Sequence, residues 1–125
     1  MPESHADLPA GYPFRPEFET TPREAAARFH GTGSGGEAGR YVIVDVREDD
    51  EVRLQPLAGA VHIPLGQLET RWDDLEVEAG EAFGVVCAGG VRSLKATLFL
   101  QQMGLRGARS IAGGMGLWTV QVSKD

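Results

Sequence analysis

The chain has 125 residues, a formal net charge of −6, 42% apolar content and one cysteine. That length suits one domain burying about two-thirds of its unfolded surface, which needs no disulfide or metal staple, and Cys87 with the scattered His5, His30 and His62 makes no zinc site. The acidic balance speaks against nucleic-acid binding, which needs a basic face, and no apolar run approaches the ~20 residues of a membrane span.

Met1-Pro2-Glu3-Ser4-His5-Ala6-Asp7 has neither a basic start nor an apolar core, so it does not read as a signal peptide. A lone free thiol fits a reducing compartment, most simply the cytoplasm. Residues 1–16 carry Pro2, Pro9, Pro13 and Pro16 without any period and are expected as a flexible lead-in, with the folded domain over 17–125. Glu17-Phe18-Glu19-Thr20 alternates weakly, as a short edge strand would. Thr21-Pro22-Arg23-Glu24 has capping-box spacing with proline at the first helical position. It predicts a helix from Pro22 to about His30 that buries Ala25, Ala26 and Phe29. Gly31 to Gly36 then forms a flexible loop.

Tyr41-Val42-Ile43-Val44-Asp45-Val46 is continuous and β-branched, as in a strand covered on both faces. The charges that follow it, Arg47 to Glu51 and Arg53, open a polar loop or short helix. Ala60-Val61-His62-Ile63-Pro64 predicts a second strand stopped by proline. Gly66 to about Leu75 predicts a short helix, with Leu68 and Trp72 on one face. Phe83-Gly84-Val85-Val86 is a buried strand, and Leu94 to Met103 recurs at the helical period with Gly104 placed as a C-terminal cap. Ala108-Arg109-Ser110-Ile111 is a strand, Gly113-Gly114 a turn, and Met115 to about Val122 a last helix. Strands alternating with helices imply an α/β sheet, mainly parallel.

Two strand ends are chemically loaded: Val46 into Arg47, and Val86 into Cys87. Sites of open α/β sheets form beyond the carboxyl ends of strands. A lone cysteine is commonly a small buried hydrophobe. Here, however, Ala88, Gly89 and Gly90 let the backbone curl, their amides can form an anion-binding nest, and the following helix adds its positive end. That setting stabilises a sulfur anion, so Cys87 is the candidate nucleophile, with Ala88, Gly89, Gly90, Val91, Arg92 and Ser93 as its cradle. Arg92 either orients substrate or pins the loop to Asp45 or Glu51. Arg47 extends the positive rim or pairs with the acidic run Glu48–Glu51. Asp45 supports the strand end, with a general-base role as the alternative. Ser93 is expected as the helix N-cap. His62, Trp72 and Trp118 read as structural.

Four segments carry a family resemblance. Tyr41 to Glu48 resembles the (L/I)-(I/V)-D-V-R-E strand of rhodanese-like domains, and Gly59 to Leu65 their G-A-x-x-I-P segment. Cys87 to Ser93 resembles their C-x-x-G-x-R-S loop, and Ala112 to Trp118 their x-G-G-x-x-x-W signature. The resemblance implies a three-layer α/β fold with a five-stranded, mainly parallel sheet flanked by helices. It also implies sulfur transfer through a Cys87 persulfide without a cofactor or metal. The donor would be thiosulfate or a protein persulfide; the acceptor would be a thiol, cyanide or a sulfur-carrier protein. The tail from Val91 to Trp118 is also similar to rhodanese domains attached to E1-like enzymes that activate sulfur carriers. Where several thiosulfate-using members have a basic residue after the cysteine, Ala88 stands here, which brings a persulfide donor level with thiosulfate. The alternatives are a non-catalytic interaction module of the same family and, less in keeping with four residues between Cys87 and Arg92, a phosphatase or arsenate reductase with a C-x5-R loop.

Overall fold

The structure is a computed structural model that describes residues 8–30 and 40–122; the expected glycine-rich loop over 31–36 lies outside them. Thr21 opens the first helix as expected, its hydroxyl accepting the Glu24 amide at 3.1 Å. Helix α1 (Pro22–His30) buries Ala25 and Ala26, while Phe29 is only partly covered. The five strands are β1 (Glu19–Thr20), β2 (Ile43–Asp45), β3 (Val61–His62), β4 (Phe83–Val86) and β5 (Ala108–Ile111). They form one sheet in the order β1-β5-β4-β2-β3, and every neighbouring pair runs parallel. The expected first strand over 17–20 thus shrinks to two residues but does sit at an edge.

Helices cover both faces, so β2 and β4 are buried throughout. Alternation along the strands divides the core in two. Val44, Val85, Phe83 and Ala108 pack with Leu68, Ala96, Leu100 and Leu105 on one side. Ile43, Val86 and Ile111 pack with Ala25, Ala26, Met115 and Trp118 on the other. The first side is capped by α4 (Val91–Gln102), the second by α1 and α5 (Gly114–Gln121). Gly104 ends α4 at φ 102°. Its amide bonds the Gln101 carbonyl and the Leu105 amide bonds that of Leu100, the paired closure that a left-handed residue after a helix allows.

Two expectations need correction. The helix foreseen over Gly66–Leu75 is broken: a 3₁₀ turn at Leu65–Gln67, α3 (Leu68–Arg71) and a second 3₁₀ turn at Trp72–Asp74. Leu68 and Trp72 still face the same core cluster, so the apolar spacing held while the backbone tightened around it. The helix after Cys87 starts at Val91 rather than Leu94. The described part of the lead-in, 8–16, is tied to the sheet: Tyr12 donates its hydroxyl to Glu19 at 2.6 Å and Arg109 donates to the Pro16 carbonyl at 2.9 Å.

Strand order fixes where a site can form. From β2 the chain steps outward to β3, then returns across β2 to β4 and continues away through β5. The order therefore reverses between β2 and β4, and the crevice beyond their carboxyl ends is where ligands bind in open α/β sheets. Val46 leaves β2 bonded to the Val86 carbonyl at 2.9 Å, which brings the Arg47 and Cys87 segments side by side.

Candidate active site

Cys87 is free, 1% exposed and directly follows β4. Its sulfur accepts the Gly90 amide at 3.0 Å and the Ser93 amide at 3.2 Å, with the Ser93 hydroxyl 3.3 Å away. The helix N-cap is Gly90, at φ 103° and without any side chain to cap with. The third helical amide, normally taken by an N-cap oxygen, points instead at Cys87. The thiol occupies the place of the missing cap, at the positive end of a helix of 12 residues. Two amide donors on one sulfur stabilise its anion.

Ser93 is therefore not the N-cap: the helix begins three residues earlier, and Ser93 is wholly buried inside it. Its hydroxyl lies 2.8 Å from that of Ser110 on β5, also fully buried. Sequence reasoning missed Ser110; its period-two position on the α4 side of β5 is the one signal pointing inward.

The loop is held from behind. Met115 and Gly116, in the first turn of α5, donate their amides to the Cys87 and Ala88 carbonyls at 2.8 and 3.1 Å. Gly113 and Gly114 take φ 74° and 59°, and a Cβ on Gly114 would collide with the Cys87 carbonyl. Glycine is needed there for both reasons. On the outer arc Ala88, Gly89 and Val91 are exposed, and Gly89 has open space around it.

Arg92 turns to Glu51 on α2 (Asp49–Leu54), with its two terminal nitrogens 2.7 and 2.8 Å from the two carboxylate oxygens. Of the partners expected for it, Asp45 is excluded. The hydrogen-bonded Arg92 guanidinium holds the Glu51 carboxyl down at about 2, helped by the Glu48 amide, and Glu51 in turn raises Arg92.

Arg47 corrects the expectation of a positive rim. It is 2% exposed, and Nε and Nη2 grip the Asp45 carboxylate at 2.9 and 2.7 Å. Nη2 also donates to the Gln55 carbonyl at 2.8 Å. Arg47 thus ties the end of β2 to the end of α2 and presents no charge to a ligand. Asp45 is spent on the same bond and also accepts the Arg47 amide at 3.1 Å. His62 stands 2.8 Å from the Arg47 carbonyl through Nε2. No group of three or more metal-ligating side chains occurs among the described residues.

A model of the rhodanese-like domain matches residues 33–121. The chain belongs to the rhodanese-like domain family. Among its relatives, YrkF of Bacillus subtilis, which bears the name of a sulfur carrier protein, is 36% identical over 77 residues, 62% of this chain and 40% of YrkF. YtwF of the same organism, named a sulfurtransferase, is 32% identical over 76 residues, 61% of this chain and 71% of YtwF. The rhodanese-like chain thus spans about two-fifths of YrkF. The human single-domain sulfurtransferase TSTD1 superposes with a TM-score of 0.61 at 25% identity, covering 74% of this chain and 93% of that one. The rhodanese-like architecture expected from the four motifs is the one observed, and the named relatives are of the sulfur-transfer kind. No helix among the described residues is long and apolar enough to cross a membrane.

Proposed function

We propose that this rhodanese-like chain is a sulfurtransferase in which Cys87 carries the transferred sulfur as a persulfide. The observation that carries this reading is the sulfur of Cys87 receiving two backbone amides in place of a helix cap. In the first step the Cys87 thiolate attacks the sulfane sulfur of a donor. A sulfur–sulfur bond forms at Cys87, the donor's own sulfur–sulfur bond breaks, and the donor leaves as thiolate or sulfite with the electron pair. In the second step an acceptor nucleophile takes the outer sulfur and Cys87 leaves as thiolate. This is covalent catalysis in two displacements with no outside oxidant.

Charge favours a persulfide donor over thiosulfate. Ala88 brings no cation, Arg47 is enclosed with Asp45, and Arg92 is held by Glu51. A monoanionic protein or small-molecule persulfide meets less opposition than a dianion on a chain of net charge −6. Thiols and sulfur-carrier proteins fit as acceptors. A free thiol used in this way suits a reducing compartment such as the cytoplasm. The short C-x4-R loop, with its arginine turned outward, disfavours a phosphatase.

Incubation with a small-molecule persulfide, followed by intact mass spectrometry, tests this reading. The expected result is a gain of one sulfur atom, reversed by reductant and absent in Cys87→Ser. A folded protein that takes up no sulfur from either a persulfide or thiosulfate would overturn it.

A further inference from the structure

A cleft of about 530 Å³ opens at the end of the sheet remote from Cys87. Gly80 and Ala82, just before β4, and Gly107, just before β5, are among the residues that line it. Cys87 follows the other end of β4, roughly 13 Å away for four extended residues. The Tyr41 side chain is placed by Gly84: a Cβ there would come within 3.2 Å of the Tyr41 hydroxyl, which lies across β4 in the space glycine leaves.

Tyr41 is the unusual group. The residue is 8% exposed and lines the cleft, and its hydroxyl is not engaged by another described side chain. A hydroxyl on the wall of an open cleft is hydrated, and a ligand acceptor can take the place of that water. Burial pushes Tyr41 up to about 12, so at neutral pH the hydroxyl is protonated and offers a donor.

The surrounding charge states what it would donate to. Arg28 lies over the Tyr41 ring, 5.5 Å from its centroid. Neither Arg28 nor Arg106 has a side-chain acceptor among the described residues, and both line the cleft. Arg109 spends Nε and Nη1 on the carbonyls of Pro16, Arg106 and Ala108, which fixes its charge in the wall. Against these three cations stand Glu19, already accepting Tyr12 and the Arg15 amide, and Glu24. The cleft is net positive on an acidic protein, rich in donors, and too large for a bare inorganic ion. Phe14, Pro16 and Ala82 add apolar wall for an organic body. Glu24 opposes a dianion.

We propose that this cleft binds a small monoanionic organic carboxylate, held by the Tyr41 hydroxyl and the guanidinium groups of Arg28 and Arg106. The site is separate from the Cys87 loop, and its occupancy does not depend on sulfur chemistry. The test uses the full chain, with benzoate as the probe and inorganic phosphate at matched ionic strength as the comparison, read by amide NMR. Benzoate is expected to shift the Tyr41, Gly80 and Gly107 signals saturably while those of residues 88–93 stay still. Phosphate should bind at least several-fold more weakly. Losing one hydrogen bond to a charged group should weaken benzoate about tenfold in Tyr41→Phe, and Arg106→Ala, a surface change that leaves the core intact, should act in the same direction. No saturable shift, equal binding of phosphate, or unchanged affinity in both variants would each overturn the proposal.

Discussion

The guanidinium of Arg92 meets the carboxylate of Glu51 through two bonds of 2.7 and 2.8 Å, so the one cation of the cysteine loop is engaged by a neighbouring helix. Replacing Glu51 with Gln should release it. The pair is about one-third exposed on each side, and its loss should cost no more than ~1 kcal/mol. The freed charge should lower the KM for thiosulfate. An unchanged KM in a folded Glu51→Gln protein would show that Arg92 does not reach the donor.

The same pair sets an acid dependence. The Glu51 carboxyl falls from 4.5 to about 2 in the folded protein, chiefly through Arg92. A lowered folded value gives stability that is present above pH ~4.5 and lost as the pH falls towards 2. Urea midpoints of the parent should therefore drop between pH 5 and 2 more than those of Glu51→Gln. Parallel curves would mean that the pair contributes nothing.

Arg47 and Asp45 differ in kind, because both are about 2% exposed. Arg47→Met strands a buried carboxylate and should cost about 3–5 kcal/mol. The double variant Asp45→Asn, Arg47→Met should recover a good part of that loss. Equilibrium unfolding with a constant denaturant slope measures both; a double variant no better than the single one would refute the stranded-charge account.

Glycines near the site should divide sharply. Gly114→Ala drives a methyl into the Cys87 carbonyl at φ 59°, and should cost about 1–3 kcal/mol together with most sulfur uptake. Gly89→Ala, which meets nothing within 4 Å, should keep both. Loss of uptake in Gly89→Ala would mean that its surface, and not its backbone, matters.

Ser110 touches Cys87 only through Ser93. With Ser110 donating to Ser93, the Ser93 hydroxyl is free to donate to the sulfur anion. Ser110→Ala should slow iodoacetamide alkylation of Cys87 several-fold, and Ser110→Thr should restore the parent rate. An unchanged rate in a folded Ser110→Ala protein would show that this hydroxyl pair does not influence the sulfur.

The strands at Ile43–Asp45 and Phe83–Val86 were legible because burial on both faces leaves an uninterrupted apolar run. The turn that aims the Gly90 and Ser93 amides at the Cys87 sulfur was legible from the small residues around it. The start of α4 was misplaced because its cap is the sulfur of a residue outside the helix, which no propensity encodes. The Arg47 burial was hidden for a similar reason: an arginine amid Glu48–Glu51 reads as surface, and only the β2–α2 turn encloses it with Asp45. Ser110 and the cleft beneath Tyr41 depend on sheet order, bringing together residues distant along the chain.

The loop carbonyls of Cys87 and Ala88 rest on the amides of Met115 and Gly116. A ribosome adding about 5–20 residues per second therefore exposes the cysteine a few seconds before its backing exists. Until then those carbonyls lack these partners, so the geometry around Cys87 is set only once the first turn of α5 has docked behind the loop.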